Sequence, residues 1–177
     1  TACRLRRALY GLRQAPRAWH NKLKQHLEDI HFEVSTADPG LFIKRNKEDN
    51  VYVLVYVDDI LIIAKSMTTV NETKRALMTT FEARDLGEAR HFLGLEIIRD
   101  RKARTLKIKQ QRLTTELINE YGFNDVRTKL TPLSTSTRLT KTEGKELDTS
   151  VYPYRSLIGS MLYLSTSTRP DIAQAVG

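Results

Sequence analysis

The chain has 177 residues, with 29 Lys and Arg against 21 Asp and Glu for a net charge of +8. That length supports one domain, or one domain and a small satellite, and the basic balance suits a polyanion partner such as nucleic acid or an anionic membrane surface. The single cysteine, Cys3, excludes an internal disulfide and fits a reducing compartment; no stretch reads as a signal peptide, and the most apolar run is too short and too acidic at its centre to span a bilayer.

The chain opens on TACRLRRALYGL without an initiator Met and closes on RPDIAQAVG inside a predicted helix, so both ends are expected to be internal to a longer polypeptide. The first predicted element is a helix over 16–31, PRAWHNKLKQHLEDIH. There Trp19, Leu23, Leu27 and Ile30 form one apolar stripe, and Pro16 suits the first turn. DPG at 38–40 is a turn; LFIKR and VYVLVYV read as strands joined by the polar NKEDN, and ILIIA reads as a third. Thr69 and Glu72 have the capping-box spacing, and Val70, Leu77, Met78 and Phe81 mark a helix ending near residue 82. After the loop DLGEA, FLGLEIIR and TLKIKQ form a hairpin around DRKAR, with Gly94 expected to mark a bulge or a close backbone approach. A helix near 111–121 carries Leu113, Leu117, Ile118 and Tyr121 and is stopped by Gly122. Residues 124–150, rich in Thr, Ser and Lys, are expected to be a long polar linker. YRSLIGSMLYLS then resumes a helical pattern through Leu157, Ile158, Met161 and Leu162 until Pro170. Neighbouring strands with short connections favour an α+β fold, an antiparallel sheet with helices on one face.

The segment VYVLVYVDDILIIAKS, residues 51–66, places Asp58 and Asp59 at the centre of the most apolar run. The plain reading is a hairpin turn, since Asp is a common turn residue. Neither Gly nor Asn is present to ease a tight turn, however, so backbone geometry alone does not explain the acidic choice. Two like charges this close repel unless a cation compensates. A divalent ion with oxygen ligands, Mg²⁺ by preference, resolves the conflict. The densest basic stretch is the second hairpin, where Arg99, Arg101, Lys102, Arg104, Lys107 and Lys109 suit phosphate contacts, although a solvated face would look the same. The four histidines, His20, His26, His31 and His91, lack metal-ligand spacing with any Cys.

YVDD between apolar strands resembles the polymerase signature of reverse transcriptases. With LYGLRQAPRAW, DPGLF, DLGEARHFLGLEI and YRSLIGSMLYLSTSTRPDI in order, the chain is similar to the reverse transcriptase region of copia-type LTR retrotransposon Pol polyproteins. The resemblance implies a right-hand polymerase: residues 1–110 a partial palm, and 111–177 thumb- or connection-like helices. It implies Asp58 and Asp59 as catalytic carboxylates and Mg²⁺ ligands, with Mn²⁺ as a substitute, and Tyr56 packed near the primer end. Tyr10, Gly11, Arg13 and Gln14 would shape the nucleotide and template pocket, and Phe92, Leu93 and Gly94 would grip the primer. The implied partners are an RNA template, a DNA primer, dNTPs and the rest of the polyprotein (upstream palm and fingers, downstream RNase H), in a cytoplasmic particle or the nucleus and at no membrane. The family takes a third carboxylate from a strand upstream of LYGLRQAPRAW, and neither Asp38 nor Asp85 is expected to replace it. The chain by itself is therefore expected to be inactive. The alternatives are a non-catalytic nucleic-acid-binding remnant of a decayed or domesticated element, and a palm-fold cyclase, which should lack the primer-grip and thumb-like segments.

Overall fold

Pro16 occupies the first turn of helix α1 (Ala15–Asp29), where its missing N–H costs nothing. The computed structural model in which it lies describes residues 8–9, 11–128, 148–149 and 153–177, divided into two compact units, Thr1–Ala89 and Arg90–Gly177. Among the described residues the architecture is α+β: five α-helices and two small antiparallel sheets.

The first unit holds a four-stranded sheet in sequential order, β1 (Glu33–Val34), β2 (Leu41–Lys44), β3 (Val51–Tyr56) and β4 (Asp59–Ile63), together with α1 and α2 (Met67–Thr80). Strand β3 alternates strictly: Val51, Val53 and Val55 are buried, while Tyr52 and Tyr56 are exposed. The three valines meet Leu23 and Leu27 of α1, Phe42 of β2 and Leu77 of α2 in one core, so both helices cover the same face of the sheet. The predicted stripe on α1 is thus the side that packs, and the helix lies beneath the hairpin as expected. Strand β1 is too short to leave a sequence pattern; it exists through its pairing with β2.

Helix α2 begins earlier than the Thr69–Glu72 spacing predicts. Ser66 is its cap, accepting from the Thr68 N–H at 3.1 Å, and the Asp49 carboxylate receives the Lys65 and Ser66 N–H groups at 2.8 and 2.9 Å. These two bonds fix the chain at the helix start from a loop 16 residues away, which local spacing cannot reveal. Met78, read as part of the packed stripe, is exposed; Val70, Leu77 and Phe81 are buried.

The second unit contains a three-stranded sheet, β5 (His91–Phe92), β6 (Leu95–Asp100) and β7 (Thr105–Lys109), with helices α3 (Gln111–Glu120), α4 (Tyr154–Ser167) and α5 (Ala173–Val176). The hairpin around residues 100–104 forms as predicted, in the register Ile97 to Ile108. Gly94, by contrast, marks no bulge. It is the second residue of a two-residue turn between Phe92 and Leu95, with φ +51° at Leu93 and +76° at Gly94, as a type I′ turn requires. Gly122, at φ +69°, ends α3: the Phe123 N–H reaches the Ile118 carbonyl at 2.8 Å and the Gly122 N–H that of Asn119, a Schellman closure. Pro170 ends α4 but starts a short 3-10 turn that leads into α5. Most of the predicted polar linker, residues 129–147 and 150, lies outside the described residues. Among the described residues no helix is long and apolar enough to cross a membrane.

Candidate active site at the aspartate hairpin

Strands β3 and β4 pair from Tyr52–Ile63 to Tyr56–Asp59, so the connection is the two residues Val57 and Asp58. Asp58 is in the turn and Asp59 is the first residue of β4. Of the two turn residues only Val57 has positive φ, +51°, the pattern of a type II′ turn. A β-branched residue there is a steric outlier, since the position favours glycine.

Two contacts brace the turn. The Trp19 indole N–H of α1 donates to the Val57 carbonyl at 2.9 Å, and the Trp19 ring meets Phe81 edge to face, centroids 5.2 Å apart. Gly40 lies against the adjacent part of β3: its carbonyl accepts the Val55 N–H at 2.8 Å, and a Cβ on it would come within 2.7 Å of the Val55 carbonyl oxygen. The 38–40 turn is closed by Asp38, whose carboxylate accepts the Gly40 N–H at 2.7 Å, and the His20 ring nitrogen lies 3.3 Å from the Pro39 carbonyl. Three of the motifs picked out in the sequence, PRAW, DPG and YVDD, therefore converge at one end of one sheet.

Asp58 and Asp59 are both exposed, and among the described residues neither carboxylate has a hydrogen-bond or ion-pair partner. Asp59 faces away from the helices, on the side of the sheet that carries Tyr56 and Tyr52; Tyr56 is 58% exposed. Two adjacent, unengaged carboxylates are hard oxygen donors that fit part of the coordination shell of Mg²⁺. No group of three or more His, Cys, Asp or Glu suited to a metal occurs among the described residues, so the remaining ligands would be water, substrate oxygens or groups outside them. Asp38 and Asp85 are otherwise engaged. Lys74 holds the Asp85 carboxylate at 2.8 Å and, with the Gly87 N–H, keeps its pKa below the ordinary 3.8.

Of the predicted nucleotide-pocket residues, Gly11 takes φ +90° in the turn before α1, Arg13 is exposed in the same turn, and Gln14 caps the helix without a side-chain bond. Tyr10 lies outside the described residues. Phe92, Leu93 and Gly94 belong to the second unit, where the Tyr163 hydroxyl of α4 donates to the Leu93 carbonyl at 2.6 Å. In the basic hairpin, Lys107 and Lys109 share one face of the fully exposed β7, and Arg101, Lys102 and Arg104 crowd the turn. Sequence reasoning missed the bracing roles of Trp19, Gly40 and Tyr163. Trp19 was legible only as an apolar stripe residue, and its indole N–H was the unused signal.

The family model described as reverse transcriptase (RNA-dependent DNA polymerase) matches residues 1–135. The chain is 34% identical, over 99% of its length, to the retrovirus-related Pol polyprotein from transposon TNT 1-94 of Nicotiana tabacum. Against the retrovirus-related Pol polyproteins from transposons RE1 and RE2 of Arabidopsis thaliana the identities are 39% and 37%, each over 98% of the chain. It spans only 14%, 12% and 12% of these three polyproteins. No solved structure matches it. The chain belongs to the reverse transcriptase (RNA-dependent DNA polymerase) family, as a region of the copia-type Pol polyprotein.

Proposed function

We propose that this chain carries the aspartate hairpin of a copia-type reverse transcriptase, which in the whole polyprotein adds dNTPs to a DNA primer on an RNA template. The observation that carries the reading is the presentation of the Asp58 and Asp59 carboxylates, exposed and without a partner among the described residues, at the tip of a hairpin whose strands are buried on one side. Strand β4 carries Asp59 and the adjoining turn carries Asp58, so the hairpin brings the two carboxylates together, as positioning for in-line displacement demands. When bound, Mg²⁺, or Mn²⁺ in its place, supplies activation of the attacking 3′ oxygen and charge neutralisation at the leaving group. Asp58 and Asp59 would hold it, and Tyr56, on the same face as Asp59, would line the approach of the primer end. Gly11, Arg13 and Gln14 (with Tyr10) would border the dNTP, and the hairpin bearing Phe92, Leu93 and Gly94 would contact the primer.

On this reading residues 1–110 are part of the palm, and 111–177 are thumb- or connection-like. The enzyme acts inside the cell, in a particle or in the nucleus. Two carboxylates do not complete a two-metal site, and among the described residues no third stands with them, so on this reading the remaining ligands come from groups outside the described residues. Primer extension on an RNA template tests this, comparing a Pol segment that contains these residues with its Asp58→Asn and Asp59→Asn variants. Each substitution is expected to lower the rate by at least about a hundredfold with an unchanged circular dichroism spectrum. Activity in Asp58→Asn near that of the parent would refute the assignment.

A further inference from the structure

We propose that Trp19 is a positioning residue for the aspartate pair: its indole N–H holds the Val57 carbonyl and thereby fixes the direction of the Asp58 carboxylate. The proposal rests on the reading of Asp58 and Asp59 as catalytic residues.

In a two-residue turn, types I′ and II′ differ by a flip of the central peptide. Here that peptide joins Val57 to Asp58, and its oxygen is the one Trp19 binds at 2.9 Å. The bond therefore selects one of two orientations, and the Asp58 backbone follows the choice. Selection is needed because the turn residues do not supply it. Val57 needs positive φ in either turn type, +51° here, and an aspartate at the second position tolerates either sign of φ, so neither residue decides the flip.

The donor is itself rigid. Trp19 stands four residues before Leu23, which with Leu27 is fully buried, and Phe81 at the end of α2 meets its ring at an interplanar angle of 80°. An exposed turn is thus tied to the core through one side chain. Without that bond the peptide flips between orientations, and the Asp58 carboxylate leaves the spacing it needs from Asp59. Such a loss acts on turnover and leaves the binding of primer and dNTP untouched.

Two measurements test it. Trp19 is the only tryptophan, so the ¹⁵N-labelled 177-residue chain has one indole N–H signal. Its hydrogen exchange is expected to be at least about tenfold slower than that of free tryptophan. In the Pol segment, Trp19→Phe keeps the ring but removes the donor. It is expected to lower kcat by about ten- to a hundredfold while KM for dNTP is unchanged. Adding Val57→Gly, the residue that a type II′ turn prefers at its first position, is expected to recover most of the loss; a merely structural role for Trp19 predicts no such recovery. An indole proton that exchanges as fast as free tryptophan overturns the clamp. A protected indole with wild-type kcat in Trp19→Phe overturns the positioning role. If the unmodified segment extends no primer although the indole is protected, the assignment of the aspartates falls, and the positioning role with it, while the clamp stands.

Discussion

The two tightest hairpins, one in each unit, are built alike and furnished differently. Each turns in two residues, Val57–Asp58 and Leu93–Gly94, and each begins with an aliphatic residue at φ +51°. In each, the carbonyl of that residue accepts a hydrogen bond from an aromatic side chain on a helix, Trp19 of α1 or Tyr163 of α4. The second positions diverge: Gly94 takes φ +76° at no steric cost, whereas Asp58 does not have positive φ. The second turn is therefore free of strain at its second position, and Tyr163 fastens its first. The first gives its second position to a carboxylate and is held in place by contacts from elsewhere. A turn can carry chemistry in place of glycine when a neighbouring element supplies the rigidity.

If the first turn depends on outside support, the largest effect should come from that support. Gly40→Ala drives a Cβ to 2.7 Å from the Val55 carbonyl oxygen, a backbone atom that cannot rotate away. The strand must shift, and the cost is expected to be about 2 kcal/mol, read as a lower urea midpoint for unfolding of the first unit. An unchanged midpoint would show that β2 and β3 give way easily and that Gly40 is no brace.

The second turn should respond to its own sequence. Gly94→Ala places a Cβ on a residue at φ +76°; space is not the obstacle, since the nearest atom, the Tyr163 hydroxyl oxygen, is 3.5 Å from the added carbon. The conformation alone is expected to cost about 1 kcal/mol. Thermal unfolding of the variant measures it, and a stabilised Gly94→Ala would break the contrast between the two turns.

The smallest effect is expected at the far end of the first hairpin, where Asp49 fastens the chain between β4 and α2. Its pKa is lowered from 3.8, first by the hydrogen bond from the Lys65 N–H and then by that from Ser66. A lowered folded pKa means that the contribution is fully present above the unfolded value and fades as pH falls through 3.8 toward the folded one. Asp49→Asn should therefore lower the unfolding midpoint at neutral pH, and the gap to the parent should close below pH 3.8. A gap that persists in acid would mean that shape, not charge, is what Asp49 contributes.

Most elements were legible because their signals are local. The α1 stripe, the alternation of β3 and the Gly122 stop each report on neighbours within a few residues, and the helix and strands follow. The Asp58–Asp59 hairpin was legible for the same reason, together with the order of motifs around it. What could not be read depends on distant partners. Ser66 displaced Thr69 as the α2 cap because Asp49 reaches across to it, and Trp19 became a donor only because the turn arrives 38 residues later in the chain. Leu93 gives no sign of its positive φ, so the sequence around Gly94 points to a bulge or a close backbone approach rather than to half of a turn.

Strand β7 has one further consequence. Among the described residues it is an outer strand, exposed along its whole length, with Leu106 59% and Ile108 50% accessible on one face. Such a rim is a template on which a second copy of the same strand could align. Lys107 and Lys109 project from the other face of that rim, so two copies brought edge to edge set like charges beside one another. The chain's surplus of cations thus also works against self-association, and high ionic strength, which screens that repulsion, is the condition under which isolated chains should begin to stack.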